Sequence, residues 1–145
     1  MVIIFSTRND ANTKKQSDRK TVYSSIKSPQ PLGHYSKAFV SGDFIFCSGQ
    51  VGIDGKTNEL IKGGIEEETR QACRNISYIL GEYEASLKDV VKVTVYLKNI
   101  DDIEKVNDIY KDYFVLKPAR STVEVSALPK NALIEIEVIA RVGNI

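Results

Sequence analysis

Arg120 and the carboxylates that follow it are the side chains of this sequence best suited to bind and convert a small charged molecule. Arg120 and Glu124 belong to one β-rich stretch, and Glu135 and Glu137 belong to the next. The guanidinium group of arginine is a rigid fork that can donate two parallel hydrogen bonds to a carboxylate. Arg120 could therefore hold the acid end of a ligand. A structural ion pair with the neighbouring carboxylates is the alternative, and the pattern alone slightly favours it.

The two stretches that carry these residues, 118–125 and 133–140, have the pattern of β-strands. Both are rich in β-branched residues and alternate with period two, and the turn signal at 127–131 predicts an antiparallel pair. One side of each strand is almost wholly apolar, which indicates the core. The other sides carry the arginine, Thr122 and the carboxylates, and we expect these polar sides to form one face of the sheet.

That polar face also includes Leu133 and Ile139, which a strand facing water would not need. We therefore expect another subunit to cover the face. Its charged groups would then line an enclosed cavity, in which an arginine could bind an anionic ligand.

Composition limits the classes of function that fit. The chain has 145 residues, 42% of them hydrophobic, which fits one compact domain. Its 20 basic and 19 acidic side chains nearly cancel, so no electrostatic signature of nucleic-acid binding is present. Cys47 and Cys73 lie outside any C-x-x-C spacing and are expected to be reduced, buried thiols of a cytoplasmic protein. The single histidine, His34, favours neither a histidine-based metal site nor a Ser-His-Asp triad.

Residues 1–19 differ from the rest and are interpreted as an N-terminal extension, with the domain proper at 20–145. The apolar run 2–5 is too short for a signal-peptide core or a membrane span, and a polar segment of mixed charge follows it. Three interpretations stay open for the extension: a flexible tail, a weak organellar targeting sequence, or an extra edge strand.

The pattern predicts an α+β fold. We expect a mixed six-stranded sheet with two helices packed on one face, the other face being free for assembly. The helices are expected to begin near Gly64 and at Asp101. The strands are predicted at 21–25, 35–40, 44–49, 90–97, 118–125 and 133–140.

Two further places could contribute to a site. Ser48 and Gly49 end a strand, where a backbone without bulk would let a ligand approach the Gly49 amide. Asn107 falls on the apolar stripe of the second predicted helix. A buried amide needs partners, so Asn107 is interpreted either as a structural clamp or as part of a polar pocket.

Four segments of the chain, in order and spacing, resemble the YjgF/RidA family of reactive intermediate deaminases. The family is also described as L-PSP endoribonucleases and as YER057c/UK-type translation inhibitors. The resemblance covers about 20–142. The segments are Gly33-His34-Tyr35-Ser36-Lys37-Ala38, Ser48-Gly49-Gln50, Asn107-x-x-Tyr110 and Pro118-Ala119-Arg120-Ser121-x-Val123-Glu124-Val125.

The resemblance implies a chorismate-mutase-like homotrimer with a barrel-like core and clefts between subunits. It implies hydrolysis of 2-imino acids, such as 2-iminobutanoate and 2-iminopropanoate, to 2-oxo acids and ammonia, without cofactor or metal. By position, Arg120 matches the arginine that binds the substrate carboxylate, and Glu135 matches the acid that positions or activates water. The matching pocket positions are Tyr35, Ser48, Gly49 and Asn107.

The sequence departs from the family pattern at two places. His34 stands where the family commonly has proline, and we expect it to fill the loop surface. Thr122 occupies a position that is cysteine in many deaminases. Because a hydroxyl keeps the edge polar, we expect an altered rate or substrate scope and not a loss of activity.

Two other functions are compatible with the resemblance. An endoribonuclease or translation inhibitor would need a phosphate-binding surface, and the domain offers only scattered lysines such as Lys88, Lys92 and Lys98. A non-enzymatic small-acid sensor or chaperone could use the same cleft. The expected partners are thus a small-molecule substrate and further copies of the chain, with neither nucleic acid nor membrane.

Overall fold

The computed structural model describes residues 27–142. The extension at 1–19 and the predicted strand at 21–25 lie outside the described residues. The helices are α1 (Gly64–Gly81) and α2 (Ile103–Tyr113). The strands are β1 (Ala38–Ser41), β2 (Phe44–Val51), β3 (Val90–Leu97), β4 (Ala119–Glu124) and β5 (Ile134–Arg141).

The strands form one mixed sheet in the order β1-β2-β5-β3-β4. The β3–β4 pair is parallel and the other three pairs are antiparallel. Both helices share one core cluster with the sheet, so the predicted α+β class is confirmed. The described part of the sheet has five strands. The remaining predicted strand, 21–25, lies outside the described residues. Within residues 27–142, no helix has the length and apolar character that crossing a membrane would require.

The expected antiparallel pairing of 118–125 with 133–140 is wrong. The two strands run in opposite directions, but β3 lies between them and pairs with both. Alternate residues of β3, Val93, Val95 and Leu97, have no exposed surface, which suits a central strand covered by helices. Turn signals indicate that the chain reverses, but they do not determine which strands become neighbours.

The predicted apolar side of β5 is confirmed as core, but the predicted orientation of β4 is wrong. Ile134 and Ile136 of β5 are fully buried. Paired residues of adjacent strands point to the same side of a sheet, and Arg120 pairs with Val93, whose side chain faces the helices. Arg120 and Thr122 therefore lie on the helix side, and Val123, expected in the core, is 43% exposed on the opposite, open face. Because β4 is an edge strand, its two sides differ little in burial, and polarity alone misassigned them.

A layer of buried polar side chains fastens α1 to the sheet. Asn75 donates hydrogen bonds to the carbonyl oxygens of Val51 (3.1 Å) and Ile53 (2.8 Å). Gln71 in turn donates to the Asn75 Oδ1 at 2.9 Å. These bonds hold the helix against the segment that follows β2, and they fix the end of the strand that carries Ser48 and Gly49.

Candidate active site

The first group of predicted site residues gathers where β2 is interrupted by a bulge. The register with β5 shifts between Cys47 and Gln50, which leaves Ser48 and Gly49 outside the regular ladder. The Ser48 hydroxyl donates to the Ser36 carbonyl oxygen at 2.7 Å, and the Ser48 amide donates to the Lys37 carbonyl oxygen at 2.9 Å. Ser48 therefore ties the bulge to the loop that carries Tyr35.

Glu135 lies directly over Gly49. A Cβ atom at Gly49 would be 1.9 Å from the Glu135 Oε1, so only glycine leaves room for the carboxylate in this position. In the register, Glu135 pairs with Tyr96 of β3. The half-buried carboxylate therefore belongs to the open face of the sheet, next to a backbone that a ligand could approach.

The surroundings of Glu135 favour its protonated form more than water does. Burial raises the pKa of Glu135, and the negative charge of Glu137 raises it further. Glu137 is itself fixed, because the Tyr96 hydroxyl donates to its Oε1 at 2.9 Å. A carboxylate with a raised pKa is a stronger base once it is ionised, which suits proton transfer from water.

Tyr35 completes this first group. It is 51% exposed, and its hydroxyl accepts a hydrogen bond from the Leu32 amide at 3.1 Å. Tyr35 and Gly49 line the same small surface cavity. His34 is exposed on the same loop. We refer to Tyr35, Ser48, Gly49 and Glu135 as the first half-site.

The second group forms where β4 meets α2. The Arg120 Nη1 donates to the Asn107 Oδ1 at 2.9 Å, and the guanidinium carbon lies 4.7 Å from the centre of the Tyr110 ring. That ring stacks on Phe114, with 4.5 Å between ring centres. The helix thus holds the guanidinium from two directions, by a hydrogen bond and by a cation–π contact.

The geometry contradicts two expectations from the sequence. Asn107 is expected on the buried stripe of its helix but is exposed, whereas Val106, Ile109 and Tyr110 are the buried residues of that helix. The structural ion pair is not formed either. Within residues 27–142, Arg120 makes no salt bridge, and Glu124 instead accepts a hydrogen bond from the Ile100 amide at 2.9 Å.

Thr122 lies two residues beyond Arg120 on the same side of β4. Its hydroxyl is buried and has no hydrogen-bond partner among residues 27–142. A buried hydroxyl normally has a partner, so this oxygen is available to a ligand, a water molecule or another chain. We refer to Asn107, Arg120 and Thr122 as the second half-site.

The two half-sites lie on opposite faces of the sheet. Sequence reasoning placed Arg120 on the same face as Glu135 and Glu137, and that prediction is wrong. Arg120 is exposed on the edge strand, on the side of the sheet that faces the helices, whereas Glu135 and Glu137 lie on the open face. Within residues 27–142, the two half-sites are therefore separate.

Sequence reasoning missed the role of Tyr110 in the second half-site. The available signal was spacing, because residues three apart on a helix lie on neighbouring parts of its surface. Tyr110 follows Asn107 by three positions, so both can reach the same guanidinium.

Neither cysteine belongs to either half-site. Cys47 and Cys73 are free and buried, and burial raises the pKa of each thiol to about 12. Within residues 27–142, no group of three or more histidine, cysteine, aspartate or glutamate side chains is arranged to hold a metal ion. The two half-sites present an arginine, a carboxylate and a few hydroxyl and amide groups.

Comparison with known proteins shows the family to which the chain belongs. The family model described as Endoribonuclease L-PSP matches residues 25–142. A RutC family protein from Pyrococcus abyssi is 53% identical over 122 residues, 83% of this chain and 96% of the relative. The human 2-iminobutanoate/2-iminopropanoate deaminase is 42% identical over 125 residues, 86% of this chain and 91% of the relative. The crystal structure of RidA from the Antarctic bacterium Psychrobacter sp. PAMC 21119 superposes with a TM-score of 0.79 at 35% identity, covering 84% and 99% of the two chains. The chain therefore belongs to the YjgF/RidA family, the family of the Endoribonuclease L-PSP model.

Proposed function

We propose that this protein hydrolyses reactive 2-imino acids, such as 2-iminobutanoate and 2-iminopropanoate, to 2-oxo acids and ammonia. The observation that carries the proposal is the state of Arg120. Its guanidinium is held by Asn107 and Tyr110, and it has no carboxylate partner within residues 27–142. The human relative that is named as a deaminase supports the same conclusion.

The free part of the guanidinium suits a small acid. Arginine has five N–H groups, and Asn107 accepts a hydrogen bond from only one of its nitrogens. An edge with two parallel N–H groups remains for a substrate carboxylate. Because Arg120 is already held in place, binding costs little additional ordering of the side chain.

We propose that the complete site forms between two chains of a homotrimer. Arg120 and Glu135 of one chain are separated by its own sheet, so a neighbouring chain must bring the opposite half-site. The open face supports such assembly, since Phe39, Phe46 and Val123 are 67%, 45% and 43% exposed there. Apolar side chains clustered on one face of a sheet are typical of a surface that another protein covers.

The proposed reaction needs no cofactor. The substrate carboxylate binds Arg120 of one chain, and its protonated imine carbon lies next to Glu135 of the neighbour. Glu135 accepts a proton as water attacks that carbon, which gives a tetrahedral amino alcohol. The same proton then passes to the nitrogen. As the carbon–nitrogen bond breaks, Glu135 accepts the hydroxyl proton and passes it to the departing ammonia, so that a 2-oxo acid and an ammonium ion leave. One water molecule is consumed for each imine.

The direct test follows imine decay. A dehydratase or an amino-acid oxidase generates 2-iminopropanoate or 2-iminobutanoate in situ, and trapping reports the imine that remains. We expect the protein to shorten the lifetime of the imine in proportion to its concentration. Equal decay with and without the protein would refute the proposed activity.

Replacing Glu137 with glutamine is expected to move the acidic limb of the kcat/KM profile to lower pH. The negative charge of Glu137 adds to burial in raising the pKa of Glu135, and a general base works only when it is ionised. Activity is therefore lost as pH falls through that pKa, and removing the charge lowers the pKa. Glutamine keeps an oxygen for the Tyr96 hydroxyl. Profiles of both proteins at one ionic strength make the measurement, and an unmoved limb would contradict the prediction.

The description of the family model is the observation that favours a second activity, cleavage of RNA. Lys92, on β3, is poorly placed to bind the phosphates of RNA, because its ammonium group already donates to the Ser121 hydroxyl and the Val93 carbonyl oxygen. Salt-sensitive cleavage of RNA that survives rigorous removal of contaminating nucleases would establish this activity beside, or in place of, the deaminase.

A further inference from the structure

Glu68 is a buried carboxylate that takes part in neither half-site. It lies on α1 and is 4% exposed. Its Oε2 accepts a hydrogen bond from the Leu133 amide at 2.7 Å, and the Ile134 amide is a second donor towards it. Leu133 immediately precedes β5 and Ile134 is its first residue, just before Glu135 in the chain.

Burying the Glu68 carboxylate costs free energy of folding. Burial raises the pKa of Glu68, and the backbone hydrogen bonds only partly oppose that shift. Within residues 27–142 it forms no salt bridge. A buried charge without a cationic partner destabilises a fold unless its hydrogen bonds compensate, so the amides of β5 are what hold Glu68 in place.

Close packing on the other side of Glu68 makes the contact rigid. A Cβ atom at Gly52 would lie 2.7 Å from the Glu68 Cα atom, so the backbone after β2 rests directly on this turn of α1. Glu68 thus stands between the end of β2, which carries Gly49, and the start of β5, which carries Glu135.

We propose that Glu68 is a positioning residue that sets the place of Glu135 over Gly49. The inference rests on the proposed imine hydrolysis. Glu135 has little freedom at this point, since its Oε1 already occupies the space of a Cβ atom at Gly49. A shift of β5 by a fraction of an ångström therefore moves the base relative to the water it activates. A misplacement of about 1 Å can cost about a hundredfold in rate.

The test compares Glu68→Ala and Glu68→Gln with the control Thr69→Val. Thr69 is the next residue and is fully buried, and its hydroxyl donates to the Ile65 carbonyl oxygen at 2.6 Å within the helix. We expect Glu68→Ala to lower kcat by about tenfold. KM should change little, because Arg120, which is proposed to bind the substrate carboxylate, belongs to the second half-site. Glu68→Gln keeps an acceptor oxygen and should stay within about threefold of the wild-type kcat. Thr69→Val should lower the melting temperature and leave kcat unchanged.

Hydrogen exchange provides a readout that does not depend on catalysis. The amide protons of Leu133 and Ile134 should exchange faster in Glu68→Ala, and the Thr69→Val control should leave them protected. The proposal is wrong if Glu68→Ala lowers kcat no more than Thr69→Val does, or if these amides keep their protection. If Glu68→Ala does not fold, Glu68→Leu, which also removes the acceptor oxygen but fills more of the space, takes its place and is judged by the same two readouts. A wild-type protein without imine hydrolysis would refute the proposed function itself, which is a different outcome.

Discussion

Replacing Arg120 with alanine is expected to lower kcat/KM for 2-imino acids by about 30- to 5,000-fold, mainly through a higher KM. Truncating one partner of a hydrogen-bonded charge pair costs about 2–5 kcal/mol, which corresponds to that range. Initial rates over a range of substrate supplied in situ measure the change. Arg120 is exposed and forms no salt bridge within residues 27–142, so the melting temperature should hardly change.

Arg120→Lys is the matched control. Lysine keeps the positive charge but lacks the planar fork, and it stacks less well on the Tyr110 ring. Its KM should fall between the wild-type and alanine values. If alanine leaves kcat/KM within about twofold of wild type while the protein still degrades imines, Arg120 does not bind the substrate carboxylate.

Replacing Glu135 with glutamine is expected to lower kcat by about a hundredfold or more, with KM nearly unchanged. General bases contribute about 10²–10⁴-fold to rate, and glutamine has the same shape but accepts no proton. The acidic limb of the pH profile should disappear with the carboxylate. Because glutamine has the shape of glutamate, it fits the space beside Gly49, and the fold should be retained. A variant that keeps the wild-type kcat would show that Glu135 has no role in catalysis.

Mixing the Arg120→Ala and Glu135→Gln proteins tests whether each site is formed by two chains or within one chain. If each site takes Arg120 from one chain and Glu135 from its neighbour, trimers assembled at random from Arg120→Ala and Glu135→Gln chains contain some intact sites. With equal amounts, about a quarter of the sites are intact, so about a quarter of the wild-type activity should return. Refolding the chains together and assaying the mixture measures this. No recovery in verified mixed trimers would contradict the two-chain site.

Much of the fold could be predicted from local patterns. The alternation in β5 identified both its strand character and its buried side, because Ile134 and Ile136 are covered by helices while Glu135 is not. The strands predicted at 35–40 and 44–49 correspond to β1 and β2, which pair as a hairpin, and Gly42 in the turn between them adopts a φ of 58°. These features depend on neighbours in the chain, so the sequence carries them directly.

The errors concern contacts between distant parts of the chain. The order of strands depends on where β3 inserts, and nothing local in 118–140 reports that insertion. The side of β4 that faces the helices could not be deduced from polarity, because an edge strand buries neither side well. Arg120 thus lies on the helix side with Asn107, and its predicted role of binding a carboxylate stays a prediction.

The buried thiols have a consequence for the conditions under which the protein can work. Oxidants and alkylating reagents attack thiolates, and a thiol with a pKa of about 12 is almost entirely protonated in the cell. The chain has no third cysteine, and threonine fills position 122 beside Arg120. We therefore expect peroxide and iodoacetamide to find no reactive sulfur at either half-site, and the protein to retain the proposed activity under oxidative stress that inactivates thiol-dependent enzymes.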